Sequence, residues 1–382
     1  MDAPAATKGP RGRADAFCAR FGLRAPILLA PMAGACPPAL SIAVANAGGM
    51  GAAGLLAHTP EAIAAWVRDV RAATAGPMQL NLWIPDPVPR RDPEHEARVR
   101  AFLAQWGPPV ATDAGDATPP DFGAQCQAML EAAPAAVSSI MGLYPPAFVL
   151  ALKARGIAWF AVATTVAEAV AAEAAGADVI VAQGAEAGGH RGAFDPSLAE
   201  RRLVGTFALV PAVADAVKVP VVATGGIADG RGVAAALALG ASAVQVGTAF
   251  LRCPEAQLHP AWADALGRAR PEETLLTRAF SGRPGRGLAT RYTLAAAAPD
   301  APSPAPYPVQ RGLTAAMRAQ AQKDGDVQRM QAWPASPRRS AAQSRPPPWS
   351  TGSGRTRARC SPPRRRCSAA ATWSAALGRR SR

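Results

Sequence analysis

The chain has 382 residues, nearly half of them apolar, enough for one large α/β domain or two ordinary ones around a sizeable core. Its formal charge of +14 would suggest a nucleic-acid partner, yet residues 334–382 hold 12 of the 41 basic residues and none of the 27 acidic ones, so the body before them is nearly neutral. That distribution argues against a nucleic-acid-binding body, and no uninterrupted run of about 18 apolar residues is present to span a membrane.

The six cysteines, Cys18, Cys36, Cys126, Cys253, Cys360 and Cys367, include no CxxC pair, and no histidine stands at zinc spacing. A reduced, cytoplasmic enzyme without a metal site is the simplest expectation. Residues 1–25 form an N-terminal extension, whose charged start MDAPAATKGPRGRADAF lacks the apolar run of a signal peptide.

The first buried strand is predicted at 27–32 (ILLAPM), bounded by Pro26 and Gly34. An Ala-rich helix at 38–47 follows and ends at Gly48 and Gly49. Residues 50–55 are the second strand candidate, 59–73 a helix with Thr59 as N-cap and Pro60 at its first position, and 78–84 (MQLNLWI) the third strand. Residues 85–120 are rich in proline and charge, with one amphipathic piece at 94–106, and read as a long excursion over the mouth of the core. Further strands are expected at 135–141, 157–163, 178–182, 219–223 and 243–246, separated by helices at 145–155, 165–174, 207–217 and 230–239. Eight short strands alternating with helices imply parallel βαβ units and favour a closed (β/α)8 barrel, the TIM barrel, over 26–259. Residues 260–333 add helical pieces around the loop FSGRPGRGLATRY at 280–292, as a part of the same unit.

From 334 to 382 the composition turns to Arg, Pro, Ser and Ala. Two readings stand: a basic, disordered arm for nucleic acid or acidic lipid, or the frameshifted end of a GC-rich gene. The segment lacks the lysine and the aromatic interleaving expected of a working nucleic-acid surface, which favours the second.

The chemistry concentrates after the last three barrel strands. AQGAEAGGHRG (182–192) places one imidazole, His190, behind Gly184, Gly188 and Gly189 at the end of an apolar run, where glycines permit tight turns and close approach to a ligand. The C-terminal mouth of a barrel strand is where such enzymes build their sites, and a neutral imidazole there suits a general base. His58, His95 and His259 lie beside turns or charged helices without supporting glycines and read as surface histidines. ATGGIADG (223–230) and QVGTAF (245–250) supply further bare backbone N–H groups, with Asp229 able to cap the next helix. Paired glycine loops after strands seven and eight predict a phosphate site. GMGAAG at 49–54 matches GxGxxG, but its glycines run into a strand instead of opening a helix, so it is set aside as a dinucleotide motif.

Together, APMAG (30–34), NLWIP (81–85), AQGAEAGGHRG, ATGGIADG, QVGTAF and FSGRPGRGL resemble the motifs of the nitronate monooxygenase family, formerly called 2-nitropropane dioxygenases, in order from Pro26 to Trp333. The resemblance implies a barrel that binds FMN non-covalently, with a smaller helical region over its mouth. Met32, Asn81, Gln183, Gly188, Gly225, Gly226, Gln245, Val246, Gly247 and Thr248 would hold the flavin, and His190 would be the catalytic residue. It implies oxidation of alkyl nitronates by O2 to carbonyl compounds and nitrite, with His190 removing the α-proton when a neutral nitroalkane is offered. The same barrel with a GGH loop also resembles the flavin-type enoyl-acyl-carrier-protein reductases, which use NAD(P)H, and related barrels reduce quinones; FSGRPGRGL leans toward the monooxygenases. The family's closing helix after Trp333 gives way here to the basic tail, with a cost in flavin binding or stability expected.

Overall fold

The computed structural model describes residues 9–333; the basic segment 334–382 lies outside the described residues. The chain runs α1 (Pro10–Phe21), β1 (Ile27–Leu29), α2 (Pro38–Asn46), β2 (Gly51–Gly54), α3 (Pro60–Ala73), β3 (Met78–Trp83), α4 (Pro93–Leu103), α5 (Phe122–Ala132), β4 (Ala136–Ile140), α6 (Pro146–Ala154), β5 (Ala158–Ala163), α7 (Val166–Ala174) and β6 (Val179–Gln183). A two-residue strand β7 (Gly189–His190) precedes α8 (Thr206–Ala216), β8 (Val221–Thr224), α9 (Gly230–Ala238) and β9 (Ala243–Val246).

Eight of these strands form one parallel sheet in the order β1-β9-β8-β6-β5-β4-β3-β2. It closes on itself through a parallel bridge between Leu28 and Met50, where the Leu29 amide donates to the Met50 carbonyl at 2.9 Å and the Met50 amide to the Ile27 carbonyl at 3.1 Å. The eight-stranded (β/α)8 barrel expected from the sequence is therefore the fold. Closure also means that no strand edge is left to be covered.

Two interleaved residue sets explain how the strands sit. Leu28, Phe160, Val162, Val181 and Val222 pack together inside the barrel, and α1 lays Phe17 against them. Their strand neighbours Leu29, Leu80, Trp159, Ile180 and Val244 face outward into the larger core beneath the helices. Alternate side chains of a strand point to opposite faces, so residues buried on both faces read as continuous apolar runs. Local chemistry fixes the helix starts: the Thr59 hydroxyl accepts from the Ala62 amide at 3.3 Å, and Asp229 accepts from the Arg231 and Gly232 amides. Gly51 and Gly54 belong to β2, and a Cβ on Gly54 would come within 2.7 Å of the Ala33 amide nitrogen. The glycines of GMGAAG thus serve close backbone packing at the barrel wall.

Beyond the barrel come α10 (Pro260–Arg268), β10 (Thr274–Thr277), β11 (Gly285–Leu288), α11 (Arg291–Ala295), α12 (Val309–Leu313) and α13 (Ala315–Asp324). The segment expected as a loop at 280–292 contains β11, which pairs antiparallel with β10 and with β7. GRGL carries two glycines and no alternation, so its strand character comes from non-local pairing. α4, from the excursion at 85–120, packs Val99 and Leu103 against Phe280, Tyr292, Leu313 and Met317. No helix among the described residues is long and apolar enough to cross a membrane.

Candidate active site

The stretch Val179–Gln183 is fully buried as β6, and the chain then turns back through Gly184–Gly188. Gly189 has φ +76°, a conformation glycine adopts at little cost. Gly184 is held for a different reason: a Cβ there would lie 1.9 Å from the Thr206 hydroxyl. The Gln183 carboxamide staples the loop to itself, donating to the His190 carbonyl at 3.0 Å and accepting from the Gly192 amide at 2.8 Å. β7 then pairs with β11, with His190 opposite Gly285.

His190 is half-buried. Its Nε2 lies 2.7 Å from the hydroxyl oxygen of Ser281. Trp83 meets the imidazole edge-on at a centroid distance of 4.7 Å, and Trp333 meets it at 5.1 Å. Enclosure disfavours the charged ring first, and the positive charges of Arg283, Arg311 and Arg318 oppose it further, so the pKa of His190 is pushed down from 6.5 to about 3. The imidazole is neutral across the physiological range.

Its sequence neighbours take no part in that environment as partners of the ring. Glu186 accepts from the Thr206 amide at 2.8 Å and from the Thr206 hydroxyl at 2.8 Å, holding the start of α8. Arg191 is buried and donates to the carbonyls of Gln183 and Gly184. Arg283, also buried, lies 3.2 Å from Asp86 and donates to the Ala193 carbonyl. The remaining histidines have local duties: His259 Nδ1 accepts from the Ala261 amide, His95 bonds to the Ser303 carbonyl, and burial lowers the pKa of His58.

The residues expected to hold a flavin fall on the C-terminal ends of the strands. Met32 lies beyond β1, Asn81 is on β3, Gln183 ends β6, Gly188 precedes β7, Gly225 and Gly226 follow β8, and Gln245 to Thr248 span the end of β9. Several are brought together. A Cβ on Gly247 would touch the Met32 sulfur at 3.2 Å, and one on Gly225 would meet the Ala187 amide nitrogen at 3.0 Å. Gln245 accepts from Gln79 at 3.1 Å, and Asn81 donates to the Ser138 hydroxyl at 3.0 Å. Val246 is the exception, because its side chain packs in the outer core and it could offer only backbone.

This donor set fits a flavin cofactor. Gly225 and Gly226 have φ +115° and +69°, and Gly226 is exposed, so these turns present backbone without side-chain bulk. The Asp229 carboxylate already occupies the first turn of α9, leaving the loop amides rather than that helix end to meet a phosphate. Gln79, Asn81, Gln183 and Gln245 are buried uncharged amides, and the side-chain oxygen Oε1 of Gln79 has no partner among the described residues. Such groups match the donor and acceptor edge of a heteroaromatic ring.

Sequence reasoning left Ser281, Trp83, Trp333 and the three arginines around His190 without roles. The block FSGRPGRGL signalled that something important lay there, yet only the pairing of β7 with β11 shows that Ser281 reaches the imidazole.

Comparison with known proteins agrees with this architecture. The family model described as nitronate monooxygenase matches residues 17–346. The nitronate monooxygenase of Pseudomonas aeruginosa is 43% identical over 321 residues, covering 82% of this chain and 90% of that protein. Among solved structures, nitroalkane oxidase from Streptomyces ansochromogenes superposes with a TM-score of 0.76 at 36% identity, covering 85% of this chain and 92% of that one. FabK from Thermotoga maritima follows at a TM-score of 0.64 and 28% identity, covering 84% and 88%. With a family model spanning most of its length and a relative this similar, the chain belongs to the nitronate monooxygenase family.

Proposed function

We propose that the protein is an FMN-dependent nitronate monooxygenase that oxidises alkyl nitronates with O2 to carbonyl compounds and nitrite. The observation that carries this reading is the neutral, hydrogen-bonding imidazole of His190 set between two indoles and within the field of three arginines. A planar, delocalised anion suits that setting: the arginines attract its charge, the indoles stack on its plane, and the imidazole reaches an oxygen or the α-carbon.

FMN, when bound, supplies the electron-accepting chemistry. Met32, Asn81, Gln183, Gly188 and Gln245 would meet its ring system, and Gly225, Gly226, Gly247 and Thr248 its phosphate. His190 acts on the substrate. With a nitronate, whose proton is already gone, it only lines the site; with a neutral nitroalkane its unprotonated nitrogen takes the α-proton. Trp83 and Trp333 cover part of the imidazole. Cys18, Cys36 and Cys126 keep free thiols, in keeping with a reducing, cytoplasmic setting.

The test is the absorbance spectrum of the purified protein followed by nitrite release from propionate 3-nitronate. A flavin spectrum with nitrite production is expected; a colourless protein, or one that releases no nitrite, refutes the reading. His190→Asn is expected to suppress nitroalkane turnover far more than nitronate turnover. The reductase alternative is separated by anaerobic mixing with NADPH, where rapid flavin bleaching would favour it.

A further inference from the structure

The hydroxyl of Ser281 makes three hydrogen bonds, and together they decide which nitrogen of His190 is reactive. It lies 2.7 Å from His190 Nε2, it accepts from the Arg283 amide at 3.3 Å, and it donates to the Arg283 carbonyl at 3.3 Å. A serine hydroxyl has one proton to give and two lone pairs to fill. Ser281 and Arg283 are both buried, and the Ser281 hydroxyl is the one hydrogen-bond donor to the Arg283 carbonyl among the described residues. A buried carbonyl is costly to leave unpaired, and the serine proton is the group that pairs it. One lone pair of the hydroxyl takes the Arg283 amide. The other can only receive a proton, which must come from His190 Nε2.

We infer that Ser281 is a positioning residue that holds His190 as its Nε2–H tautomer, so that Nδ1 carries the free lone pair and is the atom that meets the substrate. Nδ1 has no partner among the described residues, and it is not among the buried, unsatisfied side-chain atoms, so it remains accessible. The Gln183 staple on the His190 carbonyl fixes the backbone while Ser281 fixes the ring. An imidazole in the wrong tautomer offers N–H where the reaction needs a lone pair, and turnover by proton abstraction fails accordingly.

This inference rests on the function proposed above for its kinetic arm but not for its spectroscopic one. The chain contains four histidines, so 15N-histidine labelling of the flavin-loaded protein resolves them, and the His190→Asn variant assigns the signal. The wild type should show His190 protonated at Nε2 and unprotonated at Nδ1 at pH 7. Ser281→Ala should give a mixture of tautomers and an at least tenfold lower kcat on a neutral nitroalkane, with nitronate turnover reduced less than threefold. Ser281→Thr, which keeps the hydroxyl, should restore the single tautomer and most of the rate.

A wild-type His190 protonated at Nδ1 overturns the inference, as does a Ser281→Ala variant that keeps both the tautomer and the nitroalkane rate. Loss of the fold in Ser281→Ala leaves Ser281→Thr and the wild-type spectrum to decide. A wild type inert toward both substrates would sink the proposed function while the tautomer measurement still stands.

Discussion

The depressed basicity of His190 makes acid stability a direct probe of its surroundings. In the unfolded chain this residue titrates near its ordinary value of 6.5, whereas in the fold it takes a proton only near pH 3. Below pH 6.5 the unfolded state therefore binds a proton that the native state refuses. Stability from this residue is complete above pH 6.5 and is lost as the pH falls toward 3. The slope is about 1.4 kcal/mol per pH unit, so moving from pH 6.5 to 4.5 should cost about 2–3 kcal/mol, the lower figure allowing for the part of the ring that faces water. His190→Gln removes the titration and keeps a side chain able to bond to Ser281. Urea unfolding followed by tryptophan fluorescence at pH 7.5, 6.5, 5.5 and 4.5 measures the difference. Wild type should lose stability relative to His190→Gln steadily below pH 6.5. Parallel losses in both proteins would show that the imidazole is not enclosed as described.

Two further substitutions test the framework that holds the mouth in place. A Cβ on Gly312 of α12 would lie 2.0 Å from the Ala114 carbonyl oxygen, a clash with backbone that cannot swing aside. Gly312→Ala should lower the thermal midpoint by an amount equivalent to roughly 2 kcal/mol or more, and an unchanged melt would show that the excursion does not pack there. Glu186→Gln removes the carboxylate that accepts from the Thr206 amide at the start of α8. About 1 kcal/mol of stability should be lost in chemical denaturation, with little change in nitronate turnover; a loss of turnover as large as that from His190→Asn would make Glu186 a partner of the chemistry instead.

The barrel could be read from the sequence because its strands declare themselves locally. Runs such as AWFAVA and VIVAQ are buried on both faces, and several helix starts carry a side-chain cap, Thr59 and Asp229 among them. His190 was legible for the same reason: a strand, then glycines, then one titratable side chain, all within a dozen residues. What completes the environment of His190 is remote in sequence. Ser281 is 91 positions away, and it arrives because GRGL pairs with Gly189 and His190, a register that no local pattern encodes. Trp333 meets the same ring from the far end of the described chain. Charge was illegible for a related reason. Arg283, Arg311 and Arg318 are ordinary residues in the sequence, and only their convergence on one imidazole gives them an effect.

That convergence couples substrate charge to the strength of the base. In the free protein the arginines and the loss of water hold the proton affinity of His190 down, which makes it a weak base as it stands. An anion seated beside them cancels part of the repulsion, and an opposite charge within about 4–6 Å of a titrating group favours its charged form. The imidazole therefore becomes more basic only when the pocket is filled by negative charge, and a nitroalkane gains such charge as its proton leaves. An empty pocket, by contrast, keeps the ring neutral and so avoids placing a fourth positive charge among three. Nitrate, a planar delocalised anion that stays ionised in acid, serves as the probe. The 15N signal of His190 should titrate at a higher pH with saturating nitrate than without it, by about one unit if the anion sits at that distance. The same midpoint in both conditions would mean that the arginines act on the histidine without forming a seat for the substrate's charge.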